Sequence, residues 1–145
     1  MKVPVVPPLT VACCILPDSG KEGNMPTILV VDDDPSHLKL YCWVIERGGF
    51  RPLGALVRGD VIELPQAERI DAAVLDYRLG DKISAVDVAS RLRNLYPSIP
   101  ILVLSDLHFM PEDIAPFASG FIRKGEPERL LQMISSATAS SNEMP

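Results

Sequence analysis

Six polar side chains break an otherwise aliphatic pattern at places where chemistry could occur. The run Ile28-Leu29-Val30-Val31 leads straight into Asp32-Asp33-Asp34. A second apolar run ends in Asp76, a third in Ser105, and Phe121-Ile122 is followed shortly by Lys124. Carboxylates this close repel, and two sharing a site push one pKa upward unless a positive charge lies between them. Such carboxylates either fan out into water or share a cation. An oxygen-rich set of this kind suits a hard divalent ion, and Mg²⁺ takes one or two carboxylates together with waters and often a phosphate. An aspartate beside that ion can attack a phosphoryl group to give an aspartyl-phosphate. A lysine and a hydroxyl would then neutralise and hydrogen-bond the phosphoryl oxygens.

Those side chains can act together only if the elements carrying them end at one rim. Residues 27–31, "TILVV", form a short β-branched run that predicts a strand buried on both faces. Asp34 is placed to cap a helix with Pro35 at its first position. Leu38, Tyr41, Cys42 and Ile45 then follow at helical spacing up to Gly48-Gly49. Residues 50–56 predict a weaker strand near an edge, because it contains Pro52. Residues 57–69, with Gly59 and Pro65, suggest only a short helix. "IDAAVLD" (70–76) and "IPILVLS" (99–105) predict two strongly buried strands. Between them Ser84 to Asp87 has the pattern of a capping box, opening a helix that buries Ala85, Val88, Ala89, Leu92 and Leu95. Pro111 and Pro116 permit only a short or broken helix over 107–118. Residues 120–124 predict a last short strand, and Glu126-Pro127 starts a helix burying Leu130, Leu131 and Ile134. Strands alternating with helices imply an α/β doubly wound, five-stranded parallel sheet with helices on both faces. In such folds ligands gather at the carboxyl ends of strands near the topological switch.

Length and composition bound the rest. A chain of 145 residues, 47% hydrophobic and 23% charged, fits one soluble domain with a real core. A net charge of −5 argues against direct nucleic-acid binding. Cys13, Cys14 and Cys42 show neither metal-ligand spacing nor an even disulfide framework, which points to a reducing, cytoplasmic setting. No stretch is apolar for long enough to span a bilayer. Lys2 and the apolar residues after it mimic a signal peptide, but Pro4, Pro7 and Pro8 break the apolar segment. We expect residues 1–25 to be a disordered leader or a mis-called start, 26–137 the folded domain and 138–145 a disordered tail.

The segments "ILVVDDDP", "AAVLDYRL", "PILVLS" and "GFIRKGEPERLLQMI" occur in the order and approximate spacing of the response-regulator receiver domains of two-component signalling, which the chain resembles. The resemblance implies the flavodoxin-like receiver fold. It makes Asp76 the phosphoacceptor and Asp33 a direct Mg²⁺ ligand, with Asp32 acting through water and the backbone carbonyl of Arg78 completing the metal set with Asp76. It makes Ser105 the switch hydroxyl, Lys124 the phosphoryl-binding lysine and Phe121 the aromatic switch. Five departures stand out. Gly125 replaces the usual proline after the lysine, Asp106 replaces a small residue after the hydroxyl, Gly80 stands where proline is usual, the usual glycine near Ser84 is missing, and the stretch from Ser105 to Lys124 is short.

These residues imply a stand-alone response regulator whose Asp76 accepts a phosphoryl group from a histidine kinase or histidine phosphotransferase protein, with Mg²⁺ as cofactor. It would act in a phosphorelay by contact with an unknown downstream protein, without membrane or nucleic acid, and a homodimer stays open. It would not be an enzyme in the usual sense. The alternative is a receiver-like scaffold that binds partners without phosphorylation switching, suggested by Asp106 and Gly125. A third reading, an aspartyl-phosphate phosphohydrolase using Asp32 and Asp34, is disfavoured by Pro35-Ser36 and by the lack of room for a cap domain.

Overall fold

The computed structural model describes residues 25–64 and 69–143, with side chains described up to Ala139. The expected leader therefore lies almost wholly outside the described residues. The elements in chain order are β1 (Thr27–Asp32), α1 (Pro35–Arg47), β2 (Arg51–Arg58), β3 (Val61–Ile62), β4 (Ala72–Asp76), α2 (Ala85–Leu95), β5 (Ile101–Ser105), β6 (Gly120–Arg123) and α3 (Pro127–Glu143). The sheet order is β3-β2-β1-β4-β5-β6. All neighbours run parallel except β2 and β3.

The three strong apolar runs become β1, β4 and β5, in the middle of the sheet. Their aliphatics are fully buried because helices cover both faces. One face packs Ile28, Val30, Val74 and Leu104 against Leu38, Cys42 and Ile45 of α1 and Leu130 and Ile134 of α3. The other packs Leu29, Val31, Leu75 and Val103 against Ala85, Val88, Ala89 and Leu92 of α2. Alternation along each strand thus sends successive side chains into two separate cores.

Local chemistry fixes where the helices begin. Asp34 is extended, and its side chain accepts from Ser36 N at 2.8 Å and His37 N at 3.4 Å. Ser84 and Asp87 exchange reciprocal hydrogen bonds of 3.1 Å at the start of α2, completing the predicted capping box. The stripe predicted for α2 holds for Ala85, Val88, Ala89 and Leu92, whereas Leu95 is 56% exposed at the last turn.

The clearest difference lies after β2. In place of a short helix, the chain turns at Gly59-Asp60 and returns as β3, pairing Val57 with Ile62 and Arg58 with Val61. Apolar β-branched residues on either side of a Gly-Asp pair are a hairpin signal, and here it outweighed the breakers on which the helix expectation rested. Residues 65–68, including Pro65, lie outside the described residues. Because β3 covers only the end of β2, the outer side of Pro52 stays unpaired, as an edge proline requires. Residues 106–119 contain turns and no helix, in keeping with Pro111 and Pro116. The last helix runs to Glu143, past residue 137, with Thr138 buried and its Oγ1 donating to Ile134 O at 2.8 Å. No helix among the described residues is long and apolar enough to cross a membrane.

The cap is testable. Asp34→Ala should lower Tm by about 2–4 °C, the effect of losing a cap in a domain this size. Amide exchange should speed up at Ser36 and His37. An unchanged Tm would contradict the capping role.

Candidate functional site

Parallel register builds the site. β1 and β4 pair in step, with Val31 opposite Leu75, so Asp32 and Asp76 are the next residues on adjacent strands. They lie where the chain leaves β1 toward β2 and β4 toward β5, at the topological switch of the sheet. β5 ends in Ser105 beside them, since Asp76 pairs with Leu104. Lys124 follows β6 directly and continues the ladder by donating its N–H to Ser105 O at 2.9 Å. Four residues spread over 93 positions of sequence (32 to 124) thus meet at one sheet edge.

The side chains converge as well. One carboxylate oxygen from each of Asp32, Asp33 and Asp76 lies within 4.8 Å of the others. Asp32 and Asp76 are 1% and 2% exposed, while Asp33 sits at the open rim. Lys124 Nζ stands 2.8 Å from Asp76 Oδ1, an ion pair whose angles fall short of a hydrogen bond. Asp32 Oδ1 accepts from Asp34 N at 3.0 Å. Asp32 Oδ2 is buried with no hydrogen-bond partner among the described residues. Three carboxylates facing one ammonium leave two negative charges if all are ionised.

Titration behaviour reflects that imbalance. Burial first, and then the charge of Asp76, push the Asp32 carboxyl from an ordinary 3.8 up to about 8. Burial also raises Asp76, and the adjacent Lys124 opposes that rise. For Lys124, burial works against the charge, but the attraction of the ion-paired Asp76 prevails and the pKa is raised. A buried, unpartnered carboxylate oxygen costs free energy unless a proton or cation meets it. This donor set of hard oxygens with a spare charge of −2 fits Mg²⁺.

The remaining expected residues lie at the end of β5, in β6 and in the loop after β4. Ser105 is 1% exposed, and its Oγ accepts from Leu107 N at 3.0 Å. Phe121 is half-buried on the opposite face, against the core that holds α2. Arg78 lies two residues beyond Asp76 in the loop after β4, with its side chain exposed. Gly80 has φ +101 and approaches Asp33, whose Oδ2 lies 4.0 Å from the position of a Cβ. Gly125 has φ +90. Proline is locked near −65° and could adopt neither angle, so both departures from the family pattern belong to loops of a different course.

Two residues at the rim were not singled out from sequence. Tyr41 is half-buried; burial raises its phenol, and the charges of Lys124, Asp32, Asp76 and Asp106 act on it, which puts it on the α1 side of the pocket. Its place in the α1 stripe, one turn from Leu38, was the available signal, because helical side chains tilt back toward the N-terminus and hence toward the strand ends. Tyr77, next to Asp76, donates its Oη to Asp113 at 3.0 Å.

A carboxyl that holds its proton more tightly when folded stabilises the fold fully below its unfolded pKa, and this contribution is lost as pH rises toward the folded pKa. Without divalent cations, the urea-unfolding stability should therefore fall between about pH 4 and about pH 8, and Asp32→Asn should flatten much of that slope. At pH 8, Mg²⁺ at ten times its Kd should restore about 1.4 kcal/mol. A wild-type slope identical to that of Asp32→Asn would contradict the buried charge imbalance.

Comparison with known proteins agrees with this geometry. Residues 28–135 match the model of the response regulator receiver domain. The probable transcriptional regulatory protein TcrX of Mycobacterium tuberculosis is 30% identical over 99 residues, covering 68% of this chain and 42% of TcrX. The alkaline phosphatase synthesis transcriptional regulatory protein PhoP of Bacillus subtilis is 33% identical over 78 residues, 54% of this chain and 32% of PhoP. The chain thus spans less than half the length of these curated relatives. Among solved structures, a CheY-like receiver protein from Methanospirillum hungatei superposes with a TM-score of 0.68 at 18% identity, covering 84% of this chain and all (100%) of the other. TrrA of Thermotoga maritima, in complex with Mg²⁺-BeF, gives 0.66 at 23% identity, covering 78% and 99%. With the sheet order, the strand-end residues and the family match in agreement, the chain belongs to the response regulator receiver domain family.

Proposed function

We propose that Asp76 accepts a phosphoryl group from a histidine kinase or a histidine phosphotransferase protein, and that Mg²⁺ held by Asp33, Asp76 and the Arg78 carbonyl, with Asp32 acting through water, is required. The observation that carries this reading is the cluster of three carboxylates within 4.8 Å, with Lys124 Nζ 2.8 Å from Asp76. A bound Mg²⁺ would supply the positive charge that lets a phosphoryl group approach these carboxylates. The Mg²⁺-BeF complex of TrrA lends support from a protein of the same fold.

The chain's own residues do the rest. A carboxylate oxygen of Asp76 forms the new bond to phosphorus, the P–N bond to the donor imidazole breaks, and its electron pair returns to the ring nitrogen. Lys124, already paired with Asp76, turns its charge onto the incoming phosphoryl oxygens. Ser105 supplies a hydroxyl at the end of the neighbouring strand, and Phe121 answers on the other face of the sheet. The phosphoryl group adds roughly −1.5 to −2 of charge at an already acidic site, enough to bias a two-state surface. A change of this kind would be read out by protein–protein contact in a phosphorelay.

Asp106, exposed and directly after Ser105, would put a further carboxylate beside an incoming dianion, which favours a second reading as a scaffold that no longer switches. Acetyl phosphate separates the two. The wild type should gain one phosphoryl group in intact mass only when Mg²⁺ is present, and Asp76→Asn should gain none. Lys124→Ala should be labelled at least about ten-fold more slowly, having lost a charge-assisted contact. Absence of labelling in wild type that binds Mg²⁺ would support the scaffold.

A further inference from the structure

Residues 106–119, between β5 and β6, hold turns where a helix was only weakly expected; most of their fastenings lie toward the two ends, with Met110 partly buried against the α2-side core between them. Toward β6, Ile114 is fully buried in the α2-side core. Arg93 Nη2 of α2 donates to Phe117 O at 3.1 Å, and Ser119 N donates to Ile101 O at 2.7 Å. Just ahead of these, Tyr77 Oη donates to Asp113, whose two carboxylate oxygens lie 3.0 and 3.2 Å away. Tyr77 is itself fixed to the sheet, because its N–H donates to Leu104 O at 2.9 Å. Toward β5, Leu107 N donates to Ser105 Oγ at 3.0 Å. Leu107, His108 and Phe109 between the two ends are exposed, Phe109 at 81%.

We infer that Tyr77 and Asp113 form a latch that confines the phosphorylation-driven rearrangement to residues 106–112, making that loop the output element. This rests on Asp76 as phosphoacceptor and Ser105 as the hydroxyl that turns toward it. A side chain moves between staggered rotamers, so a χ1 rotation that carries Ser105 Oγ to the phosphoryl group takes it away from Leu107 N. The start of the loop then loses its fastening. At the far end the phenol–carboxylate hydrogen bond, exposed to solvent, stands immediately before buried Ile114. Motion therefore stops at Asp113, and Leu107 and Phe109 are the apolar groups that are repositioned.

Amide hydrogen exchange on the full chain, with Mg²⁺ and with or without beryllofluoride, tests the latch in wild type, Tyr77→Phe and Asp113→Ala. Tyr77→Phe keeps the ring that packs on the core, and Asp113 is exposed, so both variants should melt close to wild type. Beryllofluoride should change exchange over 106–112 of the wild type and leave 114–119 untouched. In both variants exchange over 113–119 should quicken about five-fold, as expected for one lost hydrogen bond, and the beryllofluoride effect should spread into it. A response confined to 106–112 in both variants would overturn the latch while leaving Asp76 as acceptor. No response in Mg²⁺-bound wild type would overturn the phosphoacceptor reading and the latch together.

Discussion

Two carboxylates buried side by side, with Lys124 the one ammonium paired to them among the described residues, set the terms for the rest of this molecule. Asp32 and Asp76 are withdrawn almost wholly from water at the ends of adjacent central strands. Like charges a few ångströms apart repel far more strongly in a protein interior than in water. Lys124 offsets one of them, and Asp33 adds a further negative charge at the mouth. A fold that keeps such an arrangement holds a proton there or holds a cation. The raised pKa of Asp32 is the first condition seen without metal, and the hard-oxygen donor set is the provision for the second.

Sheet topology makes the arrangement possible. Parallel strands put all their carboxyl ends at one edge, and in-step pairing of β1 with β4 places Asp32 beside Asp76 without any loop having to carry it. Because successive side chains face opposite cores, the carboxylates share the face of α1 and α3, while Phe121 reports to the face of α2. The site therefore sits where both cores could sense a change in its charge.

Much of this was legible in the sequence because the signals were local and strong. Aliphatic runs of four or more residues ending abruptly in Asp32, Asp76 and Ser105 marked both the strands and the polar ends that meet at one edge. The caps at Asp34 and Ser84 showed where two helices begin. What escaped depended on weaker or non-local effects. The β3 hairpin rests on two residue pairs around Gly59-Asp60, and its turn signal was read as a mere breaker. Tyr41 looked like one more residue of a helix stripe, since only the packed structure turns α1 so that its phenol meets the pocket. The Tyr77–Asp113 contact spans 36 positions of sequence between a loop and a turn, which no periodicity reveals. Gly80 and Gly125 were visible as departures from a pattern, but their positive φ angles, which explain why proline is absent, were not.

The charge imbalance itself can be measured by calorimetric titration of Mg²⁺ at pH 7 in buffers of different ionisation enthalpy. An Asp32 carboxyl with a pKa of about 8 is mostly protonated at that pH, and a carboxyl that meets a divalent cation, directly or through water, gives up its proton. The account predicts release of about one proton for each Mg²⁺ bound, reduced to near zero in Asp32→Asn. Binding without proton release in the wild type, or no binding at all, would contradict it.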